Sequence, residues 1–164
     1  MRAHWSSPIL VRTFGNEWES MPSTPGVYVV RTSRPIARIG GTDRAGILYV
    51  GRARNLRYRI WNFWKANHTA SGFLWTHPGI ARLVLSGRVR TVTDVENQLG
   101  NLILRYATPI HGKQIGRAER TLFFAYISAF GEAPPLNLSL SKRWDATPSA
   151  SELRWAENGL SRNA

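Results

Sequence analysis

The sequence predicts an α+β domain built on a small antiparallel three-stranded sheet flanked by helices. Three observations carry that expectation. First, two runs rich in β-branched and aromatic residues, Gly26–Arg31 (GVYVVR) and Gly46–Gly51 (GILYVG), lie either side of a Gly40-Gly41-Thr42-Asp43 turn. They read as an antiparallel hairpin with a long, Arg-bearing connection. Second, the period then changes: within Arg54–Ala66, residues Leu56, Ile60, Phe63 and Trp64 recur on one helical face. Third, Leu102–Ala107 (LILRYA) alternates as a further strand, and Arg117–Phe130 places Ala118, Leu122, Ala125, Tyr126 and Ala129 on one helical stripe.

The rest of the chain is arranged around these elements. Residues 1–24 mix aromatics with turn formers and show no sustained period, so they form an N-terminal extension. Residues 25–140 make the main domain, and 141–164 a C-terminal appendage in which Ser149-x-x-Glu152 and Gly159 outline a short helix. Between the main elements, Asn67–Gly79 reads as loop and Ile80–Leu85 as a short helix. Thr93-Asp94-Val95-Glu96 has the form of a capping box opening a helical stretch to about Gly100. Gly131 supplies a left-handed stop for the later helix, and Pro134-Pro135 prevents its continuation.

Composition narrows the function classes. At 164 residues with seven Trp, five Tyr and six Phe, the chain has apolar bulk for one core and is too short for two ordinary domains. Absence of Cys excludes disulfide scaffolds, thiolate zinc sites and cysteine nucleophiles. No apolar run approaches the roughly eighteen residues of a membrane span, and residues 1–11 lack the pattern of a secretory signal. Together these fit a cytoplasmic protein. Against 10 acidic residues stand 22 basic ones, a formal net charge of +12 that attracts polyanions, with nucleic acid foremost.

The chemistry-bearing residues cluster in the same region. Gly26-Val27-Tyr28, then Tyr49-Val50-Gly51, then Arg59 in RARNLRYRI, followed later by Ala118-Glu119 and Pro134-Pro135-Leu136-Asn137, together resemble the GIY-YIG nuclease superfamily. The resemblance runs from about Gly26 to Asn137. It implies a GIY-YIG-like fold and a metal-dependent DNA endonuclease whose site is lined by Tyr28, Tyr49, Arg59 and Asn137. Glu119 would hold the divalent ion, magnesium or manganese. The residue types suit the reaction, because phosphodiester hydrolysis builds negative charge on phosphoryl oxygens that a metal and a guanidinium stabilise. A phenol can position or deprotonate the attacking water.

Glu96 is the rival metal ligand, being nearer Tyr49 in the chain. The capping box gives it a structural role, and only the Glu119 segment is followed by Pro-Pro-Leu-Asn. Glu119 is expected in the first turn of its helix, where the macrodipole favours an ionised carboxylate. One position departs from the family pattern: many members carry His or Tyr four residues after the helix Arg, whereas this chain has Phe63, which transfers no proton. His68 is the candidate substitute. DNA is the expected partner, contacted by Arg52, Arg54 and Arg57. These belong to a run of eight basic residues between Arg31 and Arg59, which includes Arg34, Arg38 and Arg44 and is interrupted by one acid, Asp43. Trp61 and Trp64 interleave with those charges as candidate stacking or core residues. The competing reading is a basic nucleic-acid-binding module that keeps the fold without cleavage, and a third is an Arg-rich interaction protein.

Overall fold

The computed structural model describes residues 3–11, 13, 18–68, 97, 101–137 and 147–161, with the side chains of 63–68 excepted. The expected hairpin is formed by β3 (Gly26–Thr32) and β6 (Ile47–Ala53), antiparallel with Tyr28 opposite Gly51 and Val30 opposite Tyr49. Their connection folds into a small hairpin of its own, β4 (Ile36–Arg38) with β5 (Gly41–Asp43). The third predicted strand, β7 (Leu102–Thr108), lies antiparallel on the other side of β3.

The sheet has five strands, not three. His4–Trp5 (β1) and Ile9–Leu10 (β2) both pair antiparallel with the outer edge of β7, as two pieces of one broken edge strand. Two-residue strands are too short to show alternation, and the unpaired donors and acceptors of β7 select them. The described helices are α1 (Leu56–His68), α2 (Ile115–Phe130) and α3 (Ala150–Leu160). α1 begins and ends two residues later than the apolar period suggests, so His68 is its last residue and not part of a loop. α2 ends at Gly131, whose φ of 73° is the expected left-handed stop. α3 opens with the predicted Ser149/Glu152 capping box.

Strand alternation divides the core in two. Tyr28, Val30 and Tyr49 face α1, meeting Leu56, Ile60, Leu102, Leu104 and Leu136. Val27, Val29, Val50 and Ala107 face the opposite way, onto Ala118, Leu122 and Tyr126 of α2. Ala129, expected on the buried stripe of α2, is exposed. Asp43 is 1% exposed. Its carboxylate accepts hydrogen bonds from the amides of Ala45, Gly46 and Ile47 and from the Tyr126 hydroxyl at 3.0 Å, tying the start of β6 to α2.

The N-terminal strands and α3 hold each other. Trp5 stacks on Trp155 with centroids 5.3 Å apart, and each indole N–H donates to a backbone carbonyl of the other segment. Two buried guanidiniums complete the clasp: Arg31 donates to the Ser161 carbonyl, and Arg105 to the carbonyls of Ser6 and Asn158. Both thus serve the carbonyl-rich end of α3, where the helix dipole favours a cation. Among the described residues no helix is long and apolar enough to cross a membrane. The predicted elements at Asn67–Gly79 beyond His68, at Ile80–Leu85 and at 93–100, apart from Asn97, fall outside the described residues, as does the Glu96 side chain.

Candidate active site

The pairing of β3 with β6 sets Tyr28 over Gly51 and beside Tyr49, and this explains why a glycine closes the second tripeptide. A Cβ on Gly51 would stand 2.5 Å from Tyr28 Cζ, 2.6 Å from its hydroxyl and 2.7 Å from Tyr49 Cε1. Gly26 is fixed in a comparable way: a Cβ there would press on the Leu56 side chain and stand 2.5 Å from the Ala107 carbonyl oxygen. The two tyrosine rings lie 5.9 Å apart between centroids, tilted by 34°. Arg59, on the first turns of α1, reaches back over them, and its Nε donates to the Tyr28 hydroxyl at 3.3 Å. Tyr49 shares this network, with its hydroxyl in hydrogen-bond range of both Tyr28 and Arg59.

The two phenols differ in environment. Tyr28 is fully buried, and burial, reinforced by Tyr49, pushes its hydroxyl far above the ordinary phenol range despite the pull of Arg59. At neutral pH it is a hydrogen-bond donor and not a base. Tyr49 is 7% exposed and forms the accessible side of the pair.

Glu119 approaches from the other face of the sheet. It sits two residues further into α2 than expected, so the first turn of that helix contains no acid and the macrodipole argument for Glu119 weakens. Positive side chains take over that role. Arg52, which alternates onto the α2 face of β6, bridges Glu119 at 3.1 Å. Burial raises the Glu119 carboxyl above the usual carboxylate range, while Arg52, Arg120 and Arg59 pull it back. Glu119 therefore lies within the field of Arg59, although the two come from helices on opposite faces. Tyr28, Tyr49 and Arg59 form one hydrogen-bonded group on the α1 face, while the ion-pair partner of Glu119 is Arg52 on the α2 face.

β6 is the last strand of the sheet, and its outer edge is finished by the segment after α2. Leu136 N–H donates to the Leu48 carbonyl at 3.0 Å. The Asn137 side chain then imitates a strand: its Oδ1 accepts from Val50 N–H at 2.9 Å and its Nδ2 donates to the Val50 carbonyl at 2.8 Å. Both ends of the amide are engaged, so Asn137 positions the strand bearing Tyr49 and Gly51.

Several expected DNA contacts have other partners. Arg31 is buried against α3; Arg38 is paired with Glu132 at 3.1 Å and also donates to the Ala133 carbonyl; and Arg57 donates to the Met21 carbonyl at 2.7 Å. Trp61 packs on Trp18 with centroids 4.9 Å apart. Arg52 and Arg54 remain exposed. They border a cleft whose far wall is made by Lys113, Arg117 and Arg120, three cations the sequence did not single out. Their spacing through a turn and a helix start resembles an ordinary solvated face, and only the fold sets them opposite Arg52. The side chains of Phe63, Trp64 and His68 lie outside the described residues.

Comparison with known proteins gives one partial similarity: over 87 residues the chain is 33% identical to UvrABC system protein C of Frankia casuarinae. The aligned segment covers 53% of this chain and 10% of that relative. No family model and no solved structure matches.

Proposed function

We propose that this chain is a metal-dependent DNA endonuclease of the GIY-YIG type. The observation that carries the reading is the hydrogen-bonded group of Tyr28, Tyr49 and Arg59 packed over Gly51. Further support comes from the partial similarity to a component of the UvrABC system and from the net charge of +12.

The donor set fits magnesium or manganese. A single carboxylate suits magnesium, which keeps several waters and takes other oxygens from substrate phosphate. Among the described residues no group of three or more acidic or His side chains forms a closed cage. Glu119 would hold the ion, which when bound supplies Lewis-acid stabilisation of the phosphoryl oxygens. Arg59 holds the scissile phosphate and offsets the charge that grows on it. Tyr28, kept protonated by burial, fixes the Arg59 guanidinium and the Tyr49 hydroxyl. Tyr49 is the phenol that orients the attacking water, and only as a phenolate, its own proton gone to solvent, could it receive the water's proton. His68 is a further candidate for proton transfer, and Asn137 holds the β6 edge in place.

The test is nicking of supercoiled plasmid. Cleavage with magnesium or manganese is expected, with loss of at least about a hundredfold in Glu119→Gln and Arg59→Ala, since removing one charge-stabilising group costs roughly that much. Glu96→Ala is expected to retain activity. Cleavage that persists in chelator, or full activity in Glu119→Gln, would overturn the metal assignment. The Arg52–Glu119 ion pair at 3.1 Å favours a second reading, a binding module in which the carboxylate is structural. A salt-sensitive gel shift without cleavage under either metal would establish that reading instead.

A further inference from the structure

On the α2 side of β6 the surface opens into a cleft of about 430 Å³, lined by Arg52 and Arg54 on one wall and by Lys113, Arg117 and Arg120 on the other. Among the described residues no carboxylate lines it. Two of these cations have acidic partners: Arg52 pairs with Glu119, and Arg117 makes two hydrogen bonds to Glu152 at 2.5 and 2.9 Å. Among the described residues Arg54, Lys113 and Arg120 form no ion pair.

The floor of the cleft is shaped for approach. The Nη1 atoms of Arg52 and Arg120 converge over Gly116, standing 2.7 and 3.5 Å from the place a Cβ would occupy, while nothing lies within 4 Å of such a position at Gly112. Five cations share this lining with Ala53, Ile115 and two glycines, and the carboxylates of Glu119 and Glu152 offset only part of their mutual repulsion, which a bound anion would relieve. Guanidinium forks and an ammonium are the groups that match phosphate oxygens. Arg52 links this cleft to Glu119, so an occupant of the cleft lies beside the residue expected to hold the metal ion.

We infer that the cleft binds a non-scissile backbone phosphate of the DNA strand, with Lys113, Arg120 and Arg54 as its contacts, and so anchors the strand across the edge of β6. This deepens the nuclease reading and rests on it for the nature of the strand. A free phosphate or pyrophosphate offers the same chemistry, and the experiment separates the two sources.

The measurement is DNA binding in chelator, by fluorescence anisotropy of a labelled duplex over a range of salt, so that cleavage plays no part. The double variant Lys113→Gln/Arg120→Gln is compared with Arg44→Gln/Arg154→Gln, which removes the same charge from exposed sites outside the cleft. Each phosphate contact contributes about 0.9 to the slope of log K against log salt. The cleft variant should lose up to about 0.9 from that slope, the share of one phosphate, and bind roughly tenfold more weakly near 150 mM salt, with the control changed much less. Arg54→Gln, from the opposite wall, should shift the slope in the same direction and serves should the double variant fold poorly. Equal losses in cleft variant and control would overturn the site while leaving the nuclease reading intact. Saturation by inorganic pyrophosphate that leaves DNA affinity unchanged would overturn the strand assignment. Failure of the parent protein to bind any DNA at low salt would overturn both the cleft assignment and the nuclease reading.

Discussion

Replacing Gly51 with alanine sets two effects of opposite sign against each other. In an ordinary strand the exchange stabilises by roughly 0.5–1 kcal/mol, because glycine gives up more backbone freedom on folding. At this position the new Cβ would stand 2.5–2.7 Å from atoms of Tyr28 and Tyr49, roughly an ångström inside the contact distance of about 3.5 Å. Neither ring can yield freely, since Tyr28 is fully buried and Tyr49 is 7% exposed in a close-packed core. Overpacking of this kind costs about 1–3 kcal/mol. It outweighs the propensity gain, and the expected net loss of about 1–2 kcal/mol corresponds to a fall in Tm of roughly 2–8 °C for a chain of this size.

The displaced Tyr28 hydroxyl also leaves Arg59 Nε, now 3.3 Å away, so plasmid nicking should fall together with stability. Urea unfolding measures the first effect. A double-mutant cycle isolates its cause: in a Tyr28→Leu background the ring is gone, and the cost of Gly51→Ala should drop by about 1 kcal/mol or more. An alanine variant at least as stable as the parent, or one whose cost is unchanged by Tyr28→Leu, would refute the close approach of ring and backbone.

Asn137→Ala removes both side-chain hydrogen bonds to Val50 and should lower stability by about 1–3 kcal/mol. A midpoint in urea equal to that of the parent would show that the edge of β6 does not depend on this amide. The ion pair between α2 and α3 predicts an acid-side effect. Hydrogen bonds from Arg117, with those from Ser149, hold the Glu152 carboxyl at about 2, well below its ordinary value of 4.5. The lowered folded-state value makes this contribution to stability complete above about pH 4.5 and removes it progressively as pH falls toward 2. Thermal melts across that window should show the decline, and Glu152→Gln should flatten it. An unchanged acid profile in the variant would place the pair outside the stability balance.

Why some of this was legible in the sequence and some was not follows from the range of the interactions. β3, β6, β7 and α1 announce themselves through alternation or helical period, which are properties of neighbouring residues. The capping box of α3 and the glycine stop of α2 are local in the same sense, depending on backbone groups within a single turn. Tyr28, Tyr49, Gly51 and Arg59 could be picked out as a set because the spacing between the two tripeptides and the helix is set by one hairpin and one short connection. The sequence predicts α2 from Arg117, yet it starts two residues earlier: Ile115 falls on the same buried stripe as Ala118 and Leu122, but the intervening Gly116 is a poor helix former that hides the start. That offset moves Glu119 out of the first turn.

From sequence alone came the α+β class, the central hairpin, the Tyr–Tyr–Arg group and a charge suited to polyanions. Tertiary structure alone decided which charges are available. Arg31, Arg38 and Arg57 lie in the same basic run as Arg52 and Arg54, yet the first three are held by carbonyls or by Glu132, while Arg54 stays free of carboxylates among the described residues. It also drew residues 4–10 into the sheet, gave the Asn137 amide to Val50, and brought Lys113 and Arg120 opposite Arg52. The physical reason is that a guanidinium or an amide has the same local preferences wherever it occurs. Its partner is a carbonyl, a carboxylate or solvent according to which distant segment the folded chain sets beside it.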